Sequence, residues 1–145
     1  MFTAADFAKR LFDRFGSFYS ESRVFLRSDS SSVCIHGHIL VTFSLSSDKS
    51  ELLVLLDSNS LDGGYVSFVS NGGVDEVYGV VSQEARDDRA KTSRVLRDAS
   101  VVFDGGKCKY RCSLNTRDAD MAFRAVFNEC IRPALYYARK RGDKI

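Results

Sequence analysis

Tryptophan is absent from this 145-residue chain, proline occurs once, and histidine occurs only as His36 and His38. One proline and ten glycines exclude collagen-like and proline-rich classes. Two histidines leave few imidazoles for general acid–base chemistry. No apolar run approaches the roughly 18 residues of a membrane helix, so no membrane span is predicted. The opening Met1 to Asp6 lacks a basic stretch followed by an apolar one, which predicts a cytoplasmic protein without a secretory leader. The phosphate loop, the dinucleotide fingerprint and the nucleophile elbow of α/β-hydrolases are all missing. No cofactor is predicted.

What remains is the composition of a folded protein. A hydrophobic share of 44% with 12% aromatic residues excludes a disordered chain. The length predicts a single domain over residues 1–145, burying roughly two-thirds of the unfolded surface. Cys34, Cys108, Cys112 and Cys130 read as reduced thiols in that setting. Cys108 and Cys112 would lie ~13 Å apart on one strand, too far for a disulfide.

The net charge of +2 hides a gradient. Residues 1–106 hold 11 Lys and Arg against 15 Asp and Glu, and residues 107–145 hold 10 against 4. Such asymmetry suits an anionic partner, or else a solvated helix end.

Thr3 and Asp6 resemble a capping box, and Phe7, Leu11, Phe15 and Phe18 follow at helical spacing. A helix is predicted over about residues 4–19. A short strand follows at 23–27. From Val33 to Leu45 apolar and polar residues alternate without a break, which predicts one long strand bent at Gly37. Residues 46–50 have turn chemistry. Leu52 to Leu56 is apolar on both faces, as for a central strand. Residues 65–70 and 74–81 read as weaker strands, joined into a hairpin by Asn71-Gly72-Gly73.

Residues 82–98 are charged and predict a peripheral helix, with a mobile loop as the alternative; a helix would pack Val95 and Leu96 and leave Arg86, Asp87 and Arg89 solvated. Val101–Phe103 should pair across Gly105-Gly106 with Lys107–Leu114, turning Cys108, Tyr110 and Cys112 inward. Asn115 or Thr116 is the expected cap of the last helix. Its apolar face is Phe123, Phe127, Ile131, Ala134, Leu135 and Ala138, its polar face Arg124, Asn128, Arg132 and Arg139, and Pro133 should kink it near residue 130. The fold class is therefore α+β: an antiparallel meandering sheet packed by N-terminal and C-terminal helices, in the order α-β(3-5)-α-β-β-α.

Two clusters carry candidate chemistry. Cys34, His36 and His38 would share one face of a strand, and neighbours ~6.6 Å apart suit two imidazoles on one metal. A third ligand is missing, so the ordinary reading is a pair of histidines on a partly solvated sheet face. A Cys34–His36 nucleophile pair lacks an orienting residue. Lys107, Lys109 and Arg111 form a basic row, and Arg86, Arg89, Lys91, Arg94 and Arg97 offer a second. Together they would make a nucleic-acid surface, without the outward aromatic residues that single-strand binders stack on bases.

The helix Ala4–Tyr19, the strands Val33–Leu45 and Glu51–Asp57, and the tail Ala99–Ala138 follow one another in an order that resembles the type III secretion chaperones and their bacterial relatives. In that group the apparent hairpin at 64–81 has no counterpart. The resemblance implies a non-enzymatic homodimer that holds an extended segment of a partner protein against its sheet and first helix. A chaperone-like or adaptor-like protein-binding module is thus the expected function, and a nucleic-acid binder using the basic C-terminal third is the alternative.

Overall fold

The computed structural model describes residues 3–15, 23–25, 30–35 and 38–142, with 23–25 described as backbone only. Helix α1 (Ala4–Phe15) is followed by strands β1 (Arg23–Phe25), β2 (Ser30–Ile35), β3 (Ile39–Leu45) and β4 (Glu51–Asp57). Helices α2 (Gly63–Ser70), α3 (Gly73–Val80) and α4 (Gln83–Thr92) come next. Strands β5 (Leu96–Asp104) and β6 (Lys107–Leu114) form a hairpin, and α5 (Ala119–Val126) runs through a π-helical turn (Phe127–Ile131) into α6 (Arg132–Lys140). The six strands form one antiparallel sheet in the order β1-β2-β3-β4-β6-β5. The α+β class and the element order expected from the sequence hold. Among the described residues, no helix is long and apolar enough to cross a membrane.

The first helix starts as the sequence predicts. The Thr3 backbone N–H donates to Asp6 at 2.7 Å, and the Asp6 N–H donates to the Thr3 hydroxyl at 3.3 Å. Ala4, Phe7, Ala8 and Leu11 face the sheet and are buried. Residues 16–19 of the predicted helix lie outside the described residues.

The stretch Val33–Leu45 is two strands, not one. Ile35 pairs with Ile39, so residues 36–38 link β2 to β3 as a hairpin. The loop has an odd number of residues, and cross-strand partners therefore keep the same parity. Val33 opposes Val41, and Ile35 opposes Ile39, all on the core side. Alternation in the sequence is then the same for one strand as for a folded pair.

The predicted hairpin over 65–81 is also corrected: these residues form α2 and α3. Leu61, Tyr65, Phe68 and Val69 recur at helical spacing. Asp62 caps α2 by accepting from the Gly64 N–H at 2.8 Å. Gly72, with φ of 82°, takes the left-handed conformation that ends a helix, and its N–H donates to the Val69 carbonyl. Asn-Gly serves a helix stop and a primed hairpin turn equally well, because both need positive φ.

Strand β4 is central, between β3 and β6, as its apolar composition predicts. One face of the sheet carries Val41, Phe43, Leu52, Val54, Leu56, Cys108, Tyr110 and Cys112, which join the buried residues of α1, α2, α5 and α6 in a single core. Phe43 stacks on Phe7 with centroids 5.6 Å apart. The opposite face holds Leu40, Thr42, Leu53, Leu55, Lys109 and Arg111, and its leucines stay half-buried. Among the described residues the helices lie on one side of the sheet only.

The sequence predicts a kink or break at Pro133, and there the C-terminal helix runs through a π turn. The Arg132 N–H donates to the Phe127 carbonyl, five residues back. Pro133 has no N–H with which to continue that pattern to Asn128. The Asn128 carbonyl instead accepts from the Tyr78 hydroxyl at 3.0 Å, and the Cys130 carbonyl accepts from the Tyr65 hydroxyl at 3.2 Å. Two buried tyrosines on α2 and α3 thus satisfy carbonyls of the π turn. The helix cap itself is Asp118, not Asn115 or Thr116; its carboxylate accepts from the N–H groups of Asp120 and Met121.

Candidate functional site

The sequence-predicted residues fall into three places. His38 is exposed in the turn between β2 and β3, and His36 lies outside the described residues. His38 sits in a turn and not on the strand that carries Cys34, since Ile35 pairs with Ile39. Among the described residues no group of three His, Cys, Asp or Glu could hold a metal ion.

Cys108, Cys112 and Cys130 are buried, and Cys34 is partly accessible on the opposite face of the sheet. Burial, helped by the nearby Asp62, pushes the Cys108 thiol up to about 11. Burial and Glu51 push Cys112 up to about 12, and burial drives Cys130 upward as well. These thiols stay protonated near neutral pH and are poor nucleophiles. A thiol reagent is expected to label Cys34 rapidly in the native protein and the other three only after unfolding. Native labelling of more than one thiol at equal rates would contradict this burial.

Lys107, Lys109 and Arg111 face outward on β6, as predicted, and each has an acidic neighbour. Lys107 lies 4.0 Å from Asp57, Lys109 donates to Asp104 at 2.9 Å, and Arg111 lies 3.3 Å from Glu51. Arg86, Arg89 and Lys91 lie on α4 and Arg94 in the turn after it, while Arg97 on β5 pairs in register with Ser113, on the same sheet face as Lys109 and Arg111. The structure therefore places Arg97, but not the cations of α4, on the face of the first row.

Arg86 and Arg89 are only partly solvated, which corrects the reading of α4. Arg86 donates to the Val81 carbonyl at 2.6 Å. Arg89 donates to Glu129 at 2.8 Å and to Asp75 at 3.1 Å. Helix α4 ends at Thr92, while Val95 and Leu96 pack from the start of β5. With acidic neighbours beside these cations, retention on heparin is expected to vanish at modest salt, and the triple change of Lys107, Lys109 and Arg111 to Ala should leave it unchanged. A steep salt dependence abolished by that triple change would mean that several phosphates are neutralised there.

The sequence alone does not reveal that Asn128, assigned to a polar face, is 2% exposed and ties α4 to the π turn. Its amide donates to Asp88 at 2.9 Å and to the Thr92 hydroxyl at 3.1 Å, and its oxygen accepts from Tyr78 at 3.0 Å. Asp88 also binds Arg124. Burial pushes the Asp88 carboxyl up, but hydrogen bonds from Asn128 and Arg124 outweigh it and leave the group below its ordinary value. A carboxyl held low in the folded state stabilises it fully above about pH 4 and progressively less as pH falls. Helix α4 is thus fastened by polar contacts in place of the apolar stripe it lacks, and acid should loosen it first.

The remaining surface is the free side of β5. This strand pairs only with β6 among the described strands, so its outer edge presents unpaired backbone groups. Val102 is 52% exposed and Phe103 44%, two of the three exposed large hydrophobic residues among the described ones. Val102 lies in register with Lys109, and Lys109 with Leu55, so the edge continues into the open sheet face. A bulge between Arg97 and Ser100, with Asp98 at φ of 51°, interrupts pairing before this segment.

Fold and surface together define an α+β domain with one open sheet face and one apolar free edge. Comparison of the chain with known protein families, characterised proteins and solved structures finds no match.

Proposed function

We propose that this chain is a non-enzymatic, chaperone-like or adaptor-like binding module that holds an extended segment of a partner protein along β5. The observation that carries this reading is the exposed edge from Ser100 to Asp104, with Val102 and Phe103 open to solvent. Strand addition there supplies affinity through backbone hydrogen bonds and specificity through alternate side chains. A cytoplasmic homodimer is part of the proposal.

The nucleic-acid alternative is weaker, since the basic row on β6 is matched by Asp57, Asp104 and Glu51. Replacing Val102 by Lys and Phe103 by Glu tests the reading. These exposed positions should leave the thermal midpoint within a few degrees of the parent. The protein that co-purifies from the native host is expected to be lost with the double variant and kept with the Lys107, Lys109, Arg111 triple change. A partner retained by the double variant contradicts the proposal.

A further inference from the structure

Where α1, α3 and α6 meet, a cavity of about 210 Å3 is lined by Arg14, Arg132 and Arg139 together with Val77, Leu135 and Tyr136, and among the described residues by no carboxylate. The Arg14 guanidinium lies 4.1 Å from the centre of the Phe127 ring, and that of Arg132 lies 5.0 Å from it. Neither arginine forms an ion pair among the described residues. The Arg132 Nε is buried and donates to no acceptor there. A buried donor of this kind is unusual in a native protein and is a place where an acceptor is needed.

The nearest acidic influence is Asp88, which is already bound by Arg124 and Asn128. Burial, and then the charge of Arg132, lower the Arg14 guanidinium from its ordinary value, and the opposing influence of Asp88 does not offset them. A larger cleft of about 780 Å3 shares Arg14, Phe127 and Arg132 with the cavity, and Glu84, Asp87 and Asp88 line its far side. The π turn that carries Phe127 is held by Tyr78 and Tyr65, and π turns occur disproportionately at functional sites.

We infer that this cavity binds a small phosphate monoester with an apolar body of about one ring, its phosphate set between Arg14 and Arg132 and its body against Val77, Leu135 and Tyr136. A dianion matches two guanidinium groups, whose planar forks suit phosphate oxygens. Apolar walls suit the body. The site lies in the helical layer and is independent of the β5 edge.

Phenyl phosphate titrated into the full chain, followed by calorimetry and amide-resolved NMR, tests this assignment. Saturable one-to-one binding is expected, with shifts centred on Phe127, Arg132 and Tyr136. Arg14→Gln and Arg132→Gln should each weaken it about tenfold or more, as for loss of a charge-assisted contact. Arg14→Gln removes a charge without opening the core, so it remains informative if Arg132→Gln fails to fold. Inorganic phosphate should bind more weakly and benzyl alcohol should not bind. Lack of saturation by phenyl phosphate at about 10 mM, equal affinity in Arg14→Gln, or inorganic phosphate binding as tightly as the ester would each overturn the inference.

Discussion

Replacing Phe43 by alanine is expected to lower the unfolding free energy by about 3–5 kcal/mol. Phe43 is fully buried on β3, stacked on Phe7 of α1 and paired in register with Val54 of the central strand. Its loss removes the contact that joins the first helix to the sheet and leaves a cavity that neighbouring side chains fill only in part. His38→Ala, a few residues away in an exposed turn, should change stability little. Urea unfolding of both variants measures the difference. A Phe43→Ala cost below about 1 kcal/mol would mean that α1 does not pack on this face of the sheet.

The second large effect is expected at Asn128. Asn128→Ala removes partners from Asp88, Thr92 and Tyr78 at once and should cost about 1–3 kcal/mol. Asn128→Asp should cost more, because it sets a second carboxylate against Asp88. In both variants the amides of α4 should exchange much faster while those of β4 stay protected, since the polar contacts are the main tie between α4 and the π turn. Uniform acceleration across α4 and β4 would instead show that Asn128 supports the whole core.

Two expectations from the sequence failed for different physical reasons. Residues 33–45 alternate in the same way whether they run straight or double back, because a three-residue link preserves parity across the strands. Only the pairing of Ile35 with Ile39 distinguishes the two. Residues 63–80 were ambiguous because glycines at 63, 64, 72 and 73 weaken every helix preference, and Tyr, Val and Phe favour strands. Tertiary packing decided the matter: Tyr65 reaches the Cys130 carbonyl and Tyr78 that of Asn128. Those bonds depend on the π turn at Pro133, some 50 to 65 residues away. The capping box, the inward face of β6 and the central position of β4 were readable because each depends on the local pattern of residues.

The candidate edge was half visible. Val101-Val102-Phe103 read correctly as a strand of the final hairpin. Nothing in the sequence told whether a further strand covered it, because strand order is a property of the whole chain. The polar fastening of α4 was hidden for the same reason: Asp88, Arg89, Arg124, Asn128 and Glu129 look like solvated helix faces until the two helices are placed together.

Hydrogen exchange along β5, in the free chain and in its complex with the protein that co-purifies from the native host, tests the central proposal most directly. In the free chain, amides on the outer edge between Ser100 and Asp104 should exchange rapidly. In the complex they should become protected along with no comparable change on α4. Protection confined to the helical layer, or a complex that leaves the β5 edge as fast as before, would contradict strand addition at this edge.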